Sequence, residues 1–390
     1  LNLKKFGIAT LGSPRCAVFL VAMAVTACSS QTTGNNRRNL DSQELSHPDF
    51  VSFFAWSPDG TKLAVSYADD TRIALWDLAS KEKLWTVRKK LGVITAGKDL
   101  AFGPGGETII TGSAITIGGE NTDATVSVIS TSTGEILRTV RETPPPSGQN
   151  KPSSFVMSRD RTKLMTAIGT GRVAVYDTTS WKILDEIGPI IHRNVMFGGG
   201  NYPANIMRLA WDEKRGLIFA ALYNAQIQTW DLASNKKTVD FQPVQVDVND
   251  MRLDYESEDL VIGASADRVG LAPIEGGPIG LMKNFQDDPA TLVQSWNGRT
   301  GKRSHLYLGL GGSVSAVDIS RDGKFVAAVK SRIFASKAPA YLIVWDAKSE
   351  TQLEQIELGQ GIVSDLSFDP EGKRIAYSVD NIVHIINFGK

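Results

Sequence analysis

Trp76-Asp77-Leu78-Ala79-Ser80 recurs letter for letter as Trp230-Asp231-Leu232-Ala233-Ser234. Looser copies of the phrase follow at near-regular intervals, with anchors at Trp76, Ile129, Tyr176, Trp230, Trp296, Trp345 and Ile386. Self-similarity at such a period means that each copy is one supersecondary unit, unable to bury its apolar face alone and stable only when stacked on its neighbours. Each anchor closes an alternating segment such as Gln226-Ile227-Gln228-Thr229-Trp230, and alternation with period two marks a strand with one buried face. Upstream of most anchors a tight turn separates two apolar runs: Ser57-Pro58-Asp59-Gly60, Gly103-Pro104-Gly105-Gly106, Ser158-Arg159-Asp160-Arg161, Ser320-Arg321-Asp322-Gly323 and Asp369-Pro370-Glu371-Gly372. Proline presets φ and glycine accepts positive φ, so these are hairpin turns. The unit is therefore strand a, turn, strand b, loop, strand c ending in the anchor, short turn, strand d. Seven such four-stranded antiparallel sheets predict an all-β protein.

The residues resemble the WD-repeat family of β-propellers, most clearly where Phe54-Ala55-Trp56-Ser57-Pro58-Asp59-Gly60 leads to Asp70 and Trp76-Asp77. The resemblance covers residues 47 to 390 and implies a seven-bladed β-propeller. It also implies a structural hydrogen-bond network, for which His47, Ser66, Asp70 and Trp76 are the matching residues. Later copies depart from it: Asn224 stands where the Asp belongs, Tyr176 replaces Trp, and Ile129 and Ile386 are merely apolar. Packing between blades must then carry most of the stability.

The last copy supplies strands a, b and c from Ile362 to Phe388 and lacks a fourth. An open edge invites aggregation, so the segment Leu40 to His47 is expected to fill the gap and close the ring. Extra length falls between b and c around Gly112 to Asp123, Asp267 to Thr291 and Lys330 to Ala340, and between blades at Arg141 to Pro152 and Gly188 to Asn205. In an up-and-down meander these two kinds of connection share one face. Variable loops on a rigid scaffold are where binding sits. Ile190, Ile191, Val195, Met196, Phe197 and Tyr202, beside His192 and Arg193, make one apolar loop; Ile279, Leu281, Met282 and Phe285 make another. Both read as surfaces for a protein partner.

The N-terminus reads differently. Lys4, Lys5 and Arg15 precede an apolar run ending in Val25-Thr26-Ala27-Cys28. The stretch from Ala17 to Ala27 spans only about 16 Å as a helix, against a hydrocarbon core of roughly 30 Å, so an export signal is expected rather than a transmembrane anchor. Val25-Thr26-Ala27-Cys28 resembles the lipobox of bacterial lipoproteins, which implies cleavage after residue 27 and lipidation of Cys28. Cys16 and Cys28 are the only cysteines, leaving the folded body no disulfide to form. Ser29 after the cysteine implies the outer membrane, facing the periplasm, and residues 28–39 read as a solvated tether. The expected organisation is 1–27 signal peptide, 28–39 tether and 40–390 propeller.

Lys+Arg and Asp+Glu number 42 each, so no global field attracts nucleic acid. The four histidines, His47, His192, His305 and His384, are widely spaced and offer no metal-ligand pattern. No Gly-x-Ser-x-Gly elbow occurs, Gly169-Thr170-Gly171 joins two strands rather than opening a helix, and Asp287-Asp288 solvate a loop. The reading is a lipid-anchored interaction scaffold, monomeric on its own, with no enzymatic activity, no cofactor and no metal, binding another cell-envelope protein. Two alternatives stand beside it. One is a propeller enzyme resembling the lactonase or quinoprotein families, which ring a central pocket with polar residues; no such cluster stands out in the sequence. The other is a small-ligand or glycan binder using Phe197, Tyr202 and Trp296 at the channel mouth.

Overall fold

A computed structural model describes residues 42–67, 72–88, 100–117, 120–142, 153–168, 171–193, 201–204, 206–222, 226–243, 248–264, 293–310, 313–330 and 339–388. These lie in one compact unit, Leu40–Lys390; the other unit, Leu1–Asn39, falls outside the described residues, and with it the lipobox at Cys28 and the tether. The unit is a seven-bladed β-propeller of four-stranded antiparallel sheets. Blade 1 runs through Val51–Trp56, Lys62–Tyr67, Arg72–Asp77 and Glu82–Arg88. Blades 2 to 6 repeat this order, beginning at Leu100, Ser153, Ile206, Val248 and Val314. Blade 7 takes Leu366–Phe368, Arg374–Val379 and Ile382–Asn387 from the end of the chain and its fourth strand, Ser42–Ser46, from the beginning. That strand pairs antiparallel, with Ser42 opposite Ile386 and Leu45 opposite Val383, so the ring closes as expected.

The seven anchors all fall at the next-to-last residue of a third strand. In blades 1 to 6 the pairing of the third and fourth strands slips by a bulge immediately before the anchor, as between Leu75 and Trp76 or Thr229 and Trp230. Blade 7 shows no slip, because its fourth strand does not arrive through a hairpin. The residue after the anchor explains the rest of the repeated phrase. Asp77 Oδ1 accepts from Ser80 N at 2.9 Å and Ser80 Oγ at 3.0 Å, and Asp346 does the same for Ser349 at 2.7 and 2.8 Å. Asp177, Asp231 and Asn297 cap their turns likewise. An Asp followed three residues later by Ser closes a self-sufficient turn, and these hydrogen bonds hold the carboxyls of Asp77 and Asp346 below their ordinary range.

The core sits between blades rather than within them. Seven hydrophobic clusters occupy the seven interfaces among the described residues. The anchor tryptophans point into them: Trp230 packs with Met165, Val173 and Val175 of blade 3, and the fully buried Trp345 with Tyr307 of blade 5, its ring centroid 5.8 Å away. Trp345 Nε1 also donates to Leu308 O at 2.9 Å. The anchors Trp76, Ile129, Trp230, Trp296, Trp345 and Ile386 thus staple their blades to the ones before them, the role expected of Trp76 and Trp230.

The insertion between strands b and c of blade 2 is not an irregular loop. Thr108–Ile117 and Glu120–Ser130 continue as paired strands as far as Ile117 opposite Glu120. β-branched residues such as Ile115, Thr116 and Ile117 suit extended backbone, which the expectation of a loop overlooked.

Candidate functional site

On the insertion-bearing face, residues between blades 3 and 4 form a two-stranded hairpin in which Ile191–Arg193 pairs with Asn201–Pro203, setting His192 opposite Tyr202. The hairpin is seated at its base. Ile190 N donates to Gly171 O at 2.6 Å, Ala204 N to Ile190 O at 2.8 Å, and Gln228 Nε2 to Ile191 O at 3.2 Å. Gly171 has φ +73, and a Cβ there would meet Ile190 O at 2.4 Å, so glycine is required where the two backbones touch. Ile190, expected among the exposed apolar residues, is fully buried between blades 3 and 4, whereas Ile191 is 43% exposed. Met196, Phe197, Leu281, Met282 and Phe285 lie outside the described residues.

Of the four residues of the expected network, the rings of His47 and Trp76 are in contact. The His47 ring meets Trp76 edge-on at 5.4 Å and Tyr67 at 5.1 Å. His47 Nδ1 and Nε2, Ser66 Oγ and Trp76 Nε1 are buried and make no hydrogen bond among the described residues; Asp70 lies outside them. Burial, then the charge of Lys83, lowers the His47 pKa to about 4, which keeps the ring neutral at physiological pH. The cluster works as a packing contact between the closing strand and blade 1.

The lining of the central channel was not foreseen. First strands of the blades enclose a cavity of about 580 Å³ that opens among the a to b turns. A belt of charge crosses it, contrary to the expectation that no polar cluster rings the centre. Arg252 lies 2.8 Å from Asp250 and 3.4 Å from Asp318, and Arg208 lies 3.6 Å from Asp250. The same carboxylates tie neighbouring blades together. Asp250 accepts from Val317 N at 3.1 Å, Asp318 from Phe368 N at 2.8 Å and Asp365 from Phe54 N at 3.1 Å, the last joining the two ends of the ring. Ser154 Oγ accepts from Leu209 N at 2.9 Å in the same fashion between blades 3 and 4. Burial opposes the charge on Arg252, yet Asp250, Asp318 and Asp365 together raise its pKa; for Arg208 burial outweighs Asp250 and lowers it. Carboxylates held this way by backbone N–H groups and guanidinium fasten one blade to the next. Sequence reading missed them because, apart from Arg252 with Asp250, each pair joins residues on different blades; the signal available was a charged residue alternating with apolar ones on an innermost strand, as in Met251-Arg252-Leu253.

Trp296, expected at the channel mouth, lies on a third strand, away from the central cavity. Its ring stacks on Phe241 at 5.6 Å and its Nε1 donates to Gln294 Oε1 at 2.7 Å. The aromatic lining of the cavity comes instead from Phe53, Trp56, Phe155, Trp211, Tyr255 and Phe368.

Residues 41–77, which hold the closing strand and most of blade 1, match the family model of the WD domain, G-beta repeat. This stretch is similar to a WD repeat, and the fold is a seven-bladed β-propeller. No curated protein matches the chain. WD-repeat propellers generally mediate protein–protein interactions, and the two faces of this one are built unlike each other. Its a to b and c to d turns are short and capped, while its b to c and d to a connections vary in length. No helix among the described residues is long and apolar enough to cross a membrane.

Proposed function

We propose that this WD-repeat propeller is a lipid-anchored cell-envelope scaffold, held through Cys28 in the outer membrane and facing the periplasm, that binds another envelope protein without enzymatic activity. The observation that carries the reading is the asymmetry of the disc. The blades share one turn chemistry on one face, and every insertion falls on the other, where the hairpin Ile191–Pro203 is fastened to the rim and Ile191 is exposed. A rigid ring that varies on one face only is suited to reading a surface. The polar groups of the cavity walls that bind one another across blades, as Asp250, Arg252 and Asp318 do, are occupied by structure, which argues against the propeller-enzyme alternative. The lipobox motif and the polar stretch after it support anchoring at the membrane, and the protein is expected to be monomeric until its partner binds.

Capture with the full-length lipidated protein from its native envelope tests this. One protein should co-purify stoichiometrically and be lost when residues 191–203 are replaced by a short glycine-serine link. Retention of the same protein by that variant would refute the assignment of the face. Labelling with a fatty-acid analogue should mark the wild type and spare Cys28→Ser; equal labelling of both would refute the anchor.

A further inference from the structure

The a to b turns rim the cavity on the face opposite the insertions, and two of them hold a residue other than glycine at positive φ. At the last position of the turn, blades 1, 2, 6 and 7 place Gly60, Gly106, Gly323 and Gly372, with φ of 68, 77, 68 and 69. Blade 3 places Arg161 there at φ 62, and blade 5 holds Glu258 at φ 69 in its turn, where it pairs with Arg215 and Arg299. A left-handed backbone disfavours any side chain with a Cβ, so local folding favours glycine at this position and something else retains the arginine. Held strain of this kind concentrates at sites of binding.

The surroundings of Arg161 indicate what that is. Its side chain lines the cavity and its Nη1 donates to Phe102 O at 2.9 Å, a neutral acceptor. It makes no ion pair among the described residues, and neither does Arg321, which reaches the same rim from the second position of the blade 6 turn. The nearest acids in sequence are engaged. Asp160 accepts from Ser158 Oγ at 2.7 Å and Thr162 N at 2.9 Å, and Asp322 pairs with Lys324 at 2.8 Å. Burial, and then the like charge of Arg321, depress the Arg161 pKa from its ordinary value. Other arginines of the ring are neutralised: Arg252 by Asp250 and Asp318, and Arg374, 4.8 Å over the Trp56 ring, by Asp369 at 2.8 Å. Between the two rim guanidiniums the wall offers Tyr255, over whose ring Arg159 lies at 5.1 Å, and Pro58 and Pro370. Two guanidiniums converging on a concave, partly apolar mouth without a carboxylate of their own form a receptor for planar or tetrahedral oxyanions.

We propose that this mouth is an oxyanion-binding site in which Arg161 and Arg321 take the carboxylate or phosphate group of a ligand whose body rests against Tyr255. It lies on the face opposite the proposed partner surface, so either assignment can stand or fall without the other.

Thermal denaturation at low ionic strength tests it, with inorganic phosphate and succinate as probes against sodium chloride of matched ionic strength. The wild type should show a saturable rise in melting temperature with at least one probe, and which one responds separates phosphate from carboxylate ligands. Arg161→Gly and Arg321→Ala should each weaken the response by roughly tenfold or more, the loss expected of one charge-assisted pair. Arg161→Gly should also melt, without ligand, at or above the wild-type temperature, since glycine relieves the turn. No saturable response from the wild type to either probe would overturn the proposal. So would an Arg161→Gly variant that binds as tightly as wild type, or one that melts lower without ligand and keeps the anion response, which would assign the arginine to the Phe102 contact alone.

Discussion

Leu45→Ala tests how the ring is held shut. Leu45 sits in the closing strand Ser42–Ser46, is fully buried, and packs in the cluster that joins blades 1 and 7 with Val51, Phe54, Trp56, Leu63, Val383 and Ile385. Removing a buried leucine to its Cβ costs about 2 to 5 kcal/mol, depending on how far the site can collapse. Here collapse is restricted. The strand is fixed by its ladder to Ile382–Asn387 on one side, while Asp365 and Phe54 hold the facing blades at a set distance on the other. A loss of about 3 kcal/mol is therefore expected, a large fraction of a net stability of about 5 to 15 kcal/mol. Urea denaturation followed by tryptophan fluorescence and by circular dichroism measures it, with coincident transitions required. Leu353→Ala, on the outer strand Gln352–Gly359 and 43% exposed, is the control and should stay within about 0.5 kcal/mol of wild type. A Leu45→Ala protein as stable as that control would show that the N-terminal strand does not hold the ring.

Three further outcomes follow from the same structure. Deleting residues 40–47 exposes the edge of Ile382–Asn387 and should give an aggregating or unfolded body by size-exclusion chromatography; an unchanged melting transition would contradict the closure. His47 has a pKa near 4 when folded against 6.5 when free, so the unfolded chain takes the proton first. Its contribution is fully present above pH 6.5 and is lost as pH falls through 4, amounting to about 3 kcal/mol at 1.36 kcal/mol per pKa unit. Burial lowers His384 as well and adds in the same sense, so the reading is the difference between wild type and His47→Phe, whose stability should decline less between pH 6.5 and 4; parallel declines would refute it. Asp250→Ala strips Val317 N of its acceptor and leaves Arg252 and Arg208 short of a carboxylate, and should cost about 3 to 5 kcal/mol in chemical denaturation. A loss under about 1 kcal/mol, the scale of an exposed pair, would show the belt to be solvated.

The propeller was legible in the sequence because its repeating parts are local. Asp77 with Ser80, or Pro58-Asp59-Gly60, satisfy their turns within a few residues, so the chemistry that fixes them appears as a short phrase. The fourth strand of the last blade was legible too, since a segment precedes the first repeat that belongs to no other blade, and Ser42–Ser46 takes that place. The lining of the channel was not legible. Asp250 and Val317 are 67 positions apart, and Asp365 and Phe54 are 311 apart; nothing near either residue announces its partner. Trp296 misled for a related reason: an aromatic side chain near a long insertion reads as part of a mouth, yet its place on a third strand turns it into the seam with blade 4. Arg161 was read only as a turn residue, and its significance appears when its φ is set beside the glycines of blades 1, 2, 6 and 7.

The claim that one face of the disc reads a protein partner is tested most directly by a photoreactive side chain placed in turn on each face of the native, membrane-bound protein. Position 191 lies on the fastened hairpin and position 348 in an exposed turn of the opposite face. Irradiation should give one dominant protein adduct from position 191 and none of comparable yield from position 348. Equal adducts from both positions, or none from 191 in an envelope where the protein is abundant, would contradict the account.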